Sequence, residues 1–285
     1  NNQLKLFRKV NEIVLFDDNM IESAKECFQD YVEKGIILTT NFEENRWATT
    51  NEYSNVSFIF NLNKFQYKRF YEQVFQLSFD DFVTYLKSFI VLSMEHHVLI
   101  TLQAFLRDIK KLVKEIKVNE VFSLANMKIS NPSVCIDFLS TLPCLESNEL
   151  TQLIEQLDEL LNVSYQLNTK KQRKLAQFQS YFLFNDILND YWVKPLSDEE
   201  RLFYYPLFLW WQITAVVPLR PREFLLTQRN CLTEKDGKYY LTLRRNNLKG
   251  KDKGVSHKIS EDYYLTTYEV PFKLASEILN YLELT

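Results

Sequence analysis

The stretch from residue 196 to residue 223, LSDEERLFYYPLFLWWQITAVVPLRPRE, decides the fold of the second half of the chain. Ser197 and Glu200 form the S-x-x-E pattern of a capping box, which predicts that a helix begins there. Residues 203–219 then carry no charge, but a membrane-spanning helix needs about 20 apolar residues. We therefore expect a helix that is buried in a soluble core, interrupted or restarted at Pro206, and we expect no membrane partner.

A charged cluster follows directly on this apolar run. An arginine such as Arg220 is costly next to a buried helix unless it has a partner or faces a ligand. Its planar guanidinium suits two oxygens of one phosphate. Glu223, three residues further on, is placed to orient or neutralise a neighbouring cation. The residues alone therefore leave two readings open, a phosphate site at Arg220 and a structural ion pair between Arg220 and Glu223.

The region after this cluster reads as a small antiparallel sheet. Asp236-Gly237 is a hairpin turn signal, and residues 239–245 alternate apolar and polar side chains. Residues 265–270 predict a further strand, and residues 272–284 predict a closing amphipathic helix.

Positive charge is concentrated in this hairpin region. Residues 238–258 contain seven lysines or arginines and one acid, a local charge of +6 in a chain whose net charge is −3. Such a segment suits a polyphosphate backbone, although a lysine run on a solvated hairpin is the common alternative. The basic residues are Lys238, Arg244, Arg245, Lys249, Lys251, Lys253 and Lys258.

The first two thirds of the chain carry helical patterns. A helix over residues 19–34, capped by Asp18 and ended by Gly35, precedes two short strand-like segments at residues 36–40 and 56–62. Apolar residues at helical spacing then predict four amphipathic helices, which form a small bundle. These helices cover residues 78–90, 102–116, 150–161 and 169–192, the last with Phe178 and Phe182 facing inward.

The predicted fold class is mainly α with a small antiparallel β-sheet. We expect an N-terminal extension of unknown role at residues 1–65, a helical domain at 66–193 and a further domain at 194–285. The extension is compatible with an extra DNA-binding arm, a protein-contact module or a divergent start of the helical domain.

Composition excludes several function classes. The chain has four glycines and no glycine-rich phosphate loop, so a P-loop or dinucleotide-binding enzyme is not expected. Its four cysteines contain no C-x-x-C pair and it has three histidines, so we expect no metal and no cofactor. Reduced thiols and a cytoplasmic location are the corresponding expectation.

The order of elements over residues 195–271 resembles the catalytic domain of the tyrosine recombinases, the phage integrase family. The resemblance rests on L-S-D-E-E at 196–200, L-R-P-R-E at 219–223, L-K-G-K at 248–251 and E-V-P at 269–271. Pro218 stands where the family usually has glycine. The preceding helical region is similar to the family's core-binding domain, so the resemblance implies a DNA clamp followed by a truncated α+β catalytic domain.

The resemblance implies a role for three residues. Arg220 matches the arginine that binds the scissile phosphate, Glu223 matches the acid that supports it, and Lys249 matches the hairpin lysine that protonates the leaving 5′ oxygen. Lys251 and Lys253 compete with Lys249 for that role. Further DNA contacts are expected from nine basic side chains: Lys170, Lys171, Arg173, Lys174, Arg222, Arg244, Arg245, Lys251 and Lys253. For the four between residues 170 and 174, the alternative is an exposed helix start.

The family's H-x-x-R motif, its later His or Trp and its nucleophilic tyrosine are expected beyond residue 285. The full-length protein is then expected to be an integrase or transposase that performs site-specific DNA recombination through a 3′-phosphotyrosyl intermediate, with the present fragment inactive by itself. The implied partners are double-stranded DNA and further copies of the chain, as a tetramer on DNA, with no small-molecule substrate. The alternative is a non-catalytic helical DNA- or protein-binding protein that keeps a relic of the fold.

Overall fold

The computed structural model describes residues 17–50, 52, 56–65, 74–115, 123–143, 147–170, 177–247 and 254–285, without the side chains of 115 and 164–170. The chain divides into two compact units, residues 1–172 with 254–258, and residues 173–253 with 259–285. We predicted boundaries near residues 65 and 193. The functional identities assigned to those domains stay predictions.

The described residues of the first unit are mainly helical and include one small sheet. Its helices are α1 (Asp18–Glu33), α2 (Phe79–Ser93), α3 (Leu99–Glu115), α4 (Pro132–Ser140) and α5 (Asn148–Lys170). Strands β1 (Arg46–Ala48) and β2 (Ser57–Ile59) pair antiparallel.

Local capping signals set the helix ends in this unit. The Ser78 side chain accepts a hydrogen bond from Asp81 N and starts α2, as predicted. At α1 the cap is Asp17, whose carboxylate accepts from Met20 N at 2.8 Å, so the assignment to Asp18 was one residue too late. Gly35 adopts φ +68° just beyond α1, a conformation that glycine reaches without strain.

One hydrophobic core runs through the first unit. The ring of Trp47, which is fully buried, lies 4.8 Å from the rings of both Phe28 and Phe60. The same cluster continues to Phe105 and Phe138 on α3 and α4. The described part of the predicted N-terminal extension therefore shares its core with the helices that follow.

The predicted strand at residues 36–40 was wrong. Of this segment, Ile37 forms only an isolated bridge, to Thr49. Ile36 and Ile37 instead point into the core, and their amides bond to the carbonyl of Tyr31 at the end of α1. The chain turns back on the helix here, so the amides of Ile36 and Ile37 are already paired with Tyr31 O and do not take part in a ladder.

Residues Gly254–Lys258 belong to the first unit although the chain on either side belongs to the second. Val255 N donates to Glu95 O at 2.6 Å, and the ring Nε2 of the buried His257 donates to Met94 O at 2.7 Å. The His257 ring also meets that of Tyr31 edge-on at 6.0 Å. His257 takes φ +62°, a conformation that is uncommon outside glycine.

The second unit contains a three-stranded antiparallel sheet in the order β3-β4-β5 with helices around it. Its elements are α6 (Phe178–Trp192), α7 (Asp198–Val216), α8 (Pro221–Leu225), β3 (Leu232–Lys235), β4 (Lys238–Asn246), α9 (Ile259–Asp262), β5 (Tyr263–Val270) and α10 (Phe272–Leu284). Asp236 and Gly237 join β3 to β4 with φ +54° and +72°, which confirms the predicted hairpin. The described residues are thus mainly helical with small antiparallel sheets.

Helix α7 corrects two expectations. It begins with the predicted Ser197–Glu200 capping box, but it continues through Pro206. A proline removes one backbone hydrogen bond, while the buried side chains of Tyr205, Leu209 and Ile213 hold one helix face on the core. The opposite face is open, with Phe203 76% exposed, so the helix is buried on one side only. Among the described residues no helix is long and apolar enough to span a membrane.

The predicted helix over residues 169–192 also differs. Helix α5 continues to Lys170, α6 begins at Phe178, and residues 171–176 lie outside the described part of the chain. Phe178 and Phe182 are exposed rather than inward. Their rings meet each other edge-on at 4.7 Å, so they pack locally along α6 instead of in the core.

Candidate functional site

The candidate site begins at the turn between α7 and α8. Leu219 is buried in the core of the second unit and holds this turn in place. Arg220 has extended backbone angles, and Pro221 opens α8, where its missing N–H removes no helical hydrogen bond. The Arg220 side chain is 53% exposed, so its guanidinium is accessible to a ligand.

A buried carboxylate joins this turn to the sheet. Glu223 is 3% exposed, and its two oxygens accept hydrogen bonds from Arg220 N and Asn246 N, each at 2.9 Å. The first bond closes the start of α8 and the second reaches the end of β4. Glu223 therefore fixes the position of the Arg220 backbone relative to the sheet.

Two arginines lie on either side of that carboxylate. Arg220 Nη1 is 3.9 Å from Glu223 Oε1, and Arg245 Nη1 is 3.8 Å from Glu223 Oε2. Burial raises the pKa of Glu223, but the hydrogen bonds from Asn246 and Arg220 and the charges of Arg245 and Arg220 outweigh burial and hold the pKa below its usual value. Glu223 carries one negative charge and the two arginines carry one positive charge each, so the three side chains together have a net charge of +1. The most exposed of the three is Arg220.

Arg245 has further contacts on β4. Its Nη1 donates to Pro218 O at 2.7 Å, and its guanidinium lies 6.0 Å from the ring centre of Tyr268 on β5. The neighbouring Arg244 donates to Leu226 O at 3.3 Å, just beyond α8. Both arginines therefore attach β4 to the segment that carries Arg220.

The other predicted site residues are distributed unevenly. Arg222 is exposed on α8, two residues from Arg220. Lys170 ends α5 in the first unit, and its side chain is not described. The remaining predicted residues lie outside the described part of the chain: Lys171, Arg173, Lys174, Lys249, Lys251 and Lys253. The structure thus brings together Arg220, Glu223 and Arg245, while the choice of hairpin lysine stays a prediction.

The pairing of Arg245 with Glu223 was missed at the sequence level. Arg245 stood among the expected DNA contacts, and nothing in its sequence neighbourhood marks it as a partner of a residue 22 positions earlier. The signal that places it is the register of β4, in which Arg245 is opposite Tyr264. Among the described residues no cluster of His, Cys, Asp and Glu is arranged to hold a metal ion.

Comparison of the chain with models of known protein families, with curated proteins and with solved structures finds no match.

Proposed function

We propose that this chain is part of a tyrosine-type DNA recombinase that cleaves and rejoins DNA strands, with Arg220 binding the scissile phosphate. The observation that supports this most is the exposed guanidinium of Arg220 held at a buried, ionised Glu223. A carboxylate in that position restricts the arginine without covering it. Such a preorganised cation suits the charge that develops on a phosphate under attack.

The proposed chemistry is a transesterification. A tyrosine hydroxyl gives up its proton to a general base and its oxygen forms a bond to phosphorus, while the bond to the 5′ oxygen breaks and a lysine gives its proton to that leaving oxygen. Arg220 neutralises the phosphate oxygens through its planar fork. Lys249, Lys251 and Lys253 are the candidates for the lysine, and none of the tyrosines of residues 1–285 is assigned as the nucleophile. DNA as partner and assembly as a tetramer belong to the same proposal.

The test is covalent trapping with the full-length gene product. Cells that express the protein with its own genomic surroundings are lysed in detergent, and DNA that remains covalently attached to protein is precipitated and sequenced. We expect adducts at discrete sites with the unsubstituted protein and a loss of about 100-fold or more with Arg220→Ala.

Lys235→Ala is the matched control, because Lys235 is exposed at the far end of the β3–β4 hairpin and carries the same charge. It should leave adduct formation unchanged. Adducts at normal level with Arg220→Ala would show that the site is placed wrongly. No adducts with any version of the protein would favour the non-catalytic binding protein.

A further inference from the structure

Arg245 occupies an unusual position for a strand residue in a cluster of basic side chains. Its side chain is 22% exposed, less than half the exposure of Arg220. Its shortest contact is with a carbonyl oxygen, Pro218 O, two residues before Arg220. It therefore faces the loop that carries Arg220 and not primarily the solvent.

Arg245 also changes the charge balance at Glu223. If Glu223 had Arg220 as its sole cation, the two would attract each other without competition and the guanidinium would be drawn toward the carboxylate. The observed separations are nearly equal, 3.9 Å to Arg220 and 3.8 Å to Arg245. Both arginines share one carboxylate, so Glu223 offsets the positive field of Arg220 only in part and the group keeps a net positive charge for a ligand.

The backbone contact adds a geometric role. Pro218 has no backbone N–H, so its carbonyl is the one backbone polar group through which this residue can be anchored. Arg245 uses it. One guanidinium thus holds the carbonyl before Arg220 and the carboxylate after it, on both sides of the residue to be positioned.

We infer that Arg245 is a positioning residue that holds the Arg220 loop and offsets Glu223, so that Arg220 is presented to a DNA phosphate. The inference rests on the proposed function, because it names what keeps the same site competent. It differs from the sequence-based expectation that Arg245 contacts DNA itself.

A double-mutant cycle separates these roles. Binding of the 285-residue chain to a labelled DNA duplex is measured by fluorescence anisotropy at several salt concentrations, for the unsubstituted chain, Arg220→Ala, Arg245→Ala and the double variant. If Arg245 acts through Arg220, Arg245→Ala should weaken binding about two- to fivefold, the scale of one exposed ion pair, and should have no effect when Arg220 is already alanine. A direct DNA contact by Arg245 would give the same loss in both backgrounds and overturn the inference.

Two further variants keep the result interpretable. Arg245→Lys retains the charge beside Glu223 and should keep most of the affinity even if the alanine variant folds poorly. In Arg245→Ala the carboxyl carbon of Glu223, followed by NMR, should titrate at higher pH than in the parent chain, because a neighbouring cation is gone. An unchanged Glu223 titration, or unchanged DNA binding by Arg245→Ala with Arg220 intact, refutes the role. If Arg220→Ala itself binds with the affinity and salt dependence of the parent, the proposed phosphate site fails, a different result from a failure of Arg245 alone.

Discussion

Replacing Glu223 by glutamine tests the centre of the site with almost no change in shape. The carboxylate accepts from two backbone N–H groups, Arg220 N and Asn246 N, both at 2.9 Å. A glutamine offers one oxygen and one NH₂ group, so it can accept only one of these bonds and must point a donor at the other. One buried backbone donor is then left without an acceptor.

The expected loss of unfolding free energy follows from that count. An unsatisfied buried donor costs about 1–3 kcal/mol. The lost attraction to Arg220 adds little, because that side chain is half exposed and water screens it, and the lost attraction to Arg245, 3.8 Å away and 22% exposed, stays within the same range. With a urea m-value of about 2 kcal/mol per molar, the midpoint of the second unit should fall by about 0.5–1.5 M.

Urea unfolding followed by tryptophan emission measures this change, since Trp192, Trp210 and Trp211 lie in the second unit. Amide hydrogen exchange adds residue-level detail, and the amides of Arg220 and Asn246 should exchange faster than in the parent. The matched control is Glu269→Gln, which removes an exposed carboxylate paired with Lys238 at 3.1 Å and should leave the midpoint unchanged. Equal midpoints for the two variants would refute the assigned role of Glu223.

The pH dependence provides a second check on the same residue. The pKa of Glu223 is lowered in the folded chain, so the unfolded chain binds its proton more readily. The contribution of Glu223 to stability is therefore present above its unfolded pKa of 4.5 and disappears as pH falls through its folded pKa. Glu223→Gln should lack this part of the acid sensitivity.

Two other predictions concern the first unit. Lys87 is 2% exposed, its ammonium lies 3.9 Å from Glu43 and over the ring of Phe60, and burial lowers its pKa against the charge of Glu43. Lys87→Met should raise the unfolding free energy by about 1 kcal/mol near neutral pH. As pH rises toward 10.5, the stability of the parent should increase and that of the variant should not, because the unfolded chain then keeps a proton on Lys87 that the folded chain has lost. A lower urea midpoint for the variant, followed at Trp47, would contradict this prediction. Gly254→Ala would place a Cβ 2.6 Å from Glu95 Cγ and 2.8 Å from Glu95 O. Overpacking of this kind costs about 1–3 kcal/mol, so the amide hydrogen of Val255 should exchange about tenfold faster or more. Unchanged hydrogen exchange at Val255 would show that the segment accommodates the methyl group.

Signals between adjacent residues predicted the local structure well. Ser78, the Ser197–Glu200 box and Asp236-Gly237 set the ends of their elements because capping and turn formation depend on a few neighbouring side chains. The closing helix over residues 272–284, which was predicted from its apolar spacing, is likewise confirmed.

Features that depend on distant partners were predicted less well. Periodicity assigned Phe178 and Phe182 to the inward face of a helix, and both are exposed, because the period does not show which face meets a core. The partnership of Glu223 with Asn246 and Arg245 requires the end of β4 to meet the start of α8, which no spacing along the chain encodes. The sequence thus indicated Arg220 and Glu223 as a pair and left out the residue that completes their charge balance.

The docking of Gly254–Lys258 in the first unit makes the polypeptide cross between the two units three times, near residues 172, 253 and 258. No single cut can separate the units into autonomous halves. A clone of residues 173–285 would carry Val255 and His257 without Glu95 and Met94, so its β4–β5 connection would lose both of these hydrogen bonds. Dissection of this protein therefore calls for shortening or replacing that connection, rather than for a plain truncation at residue 172.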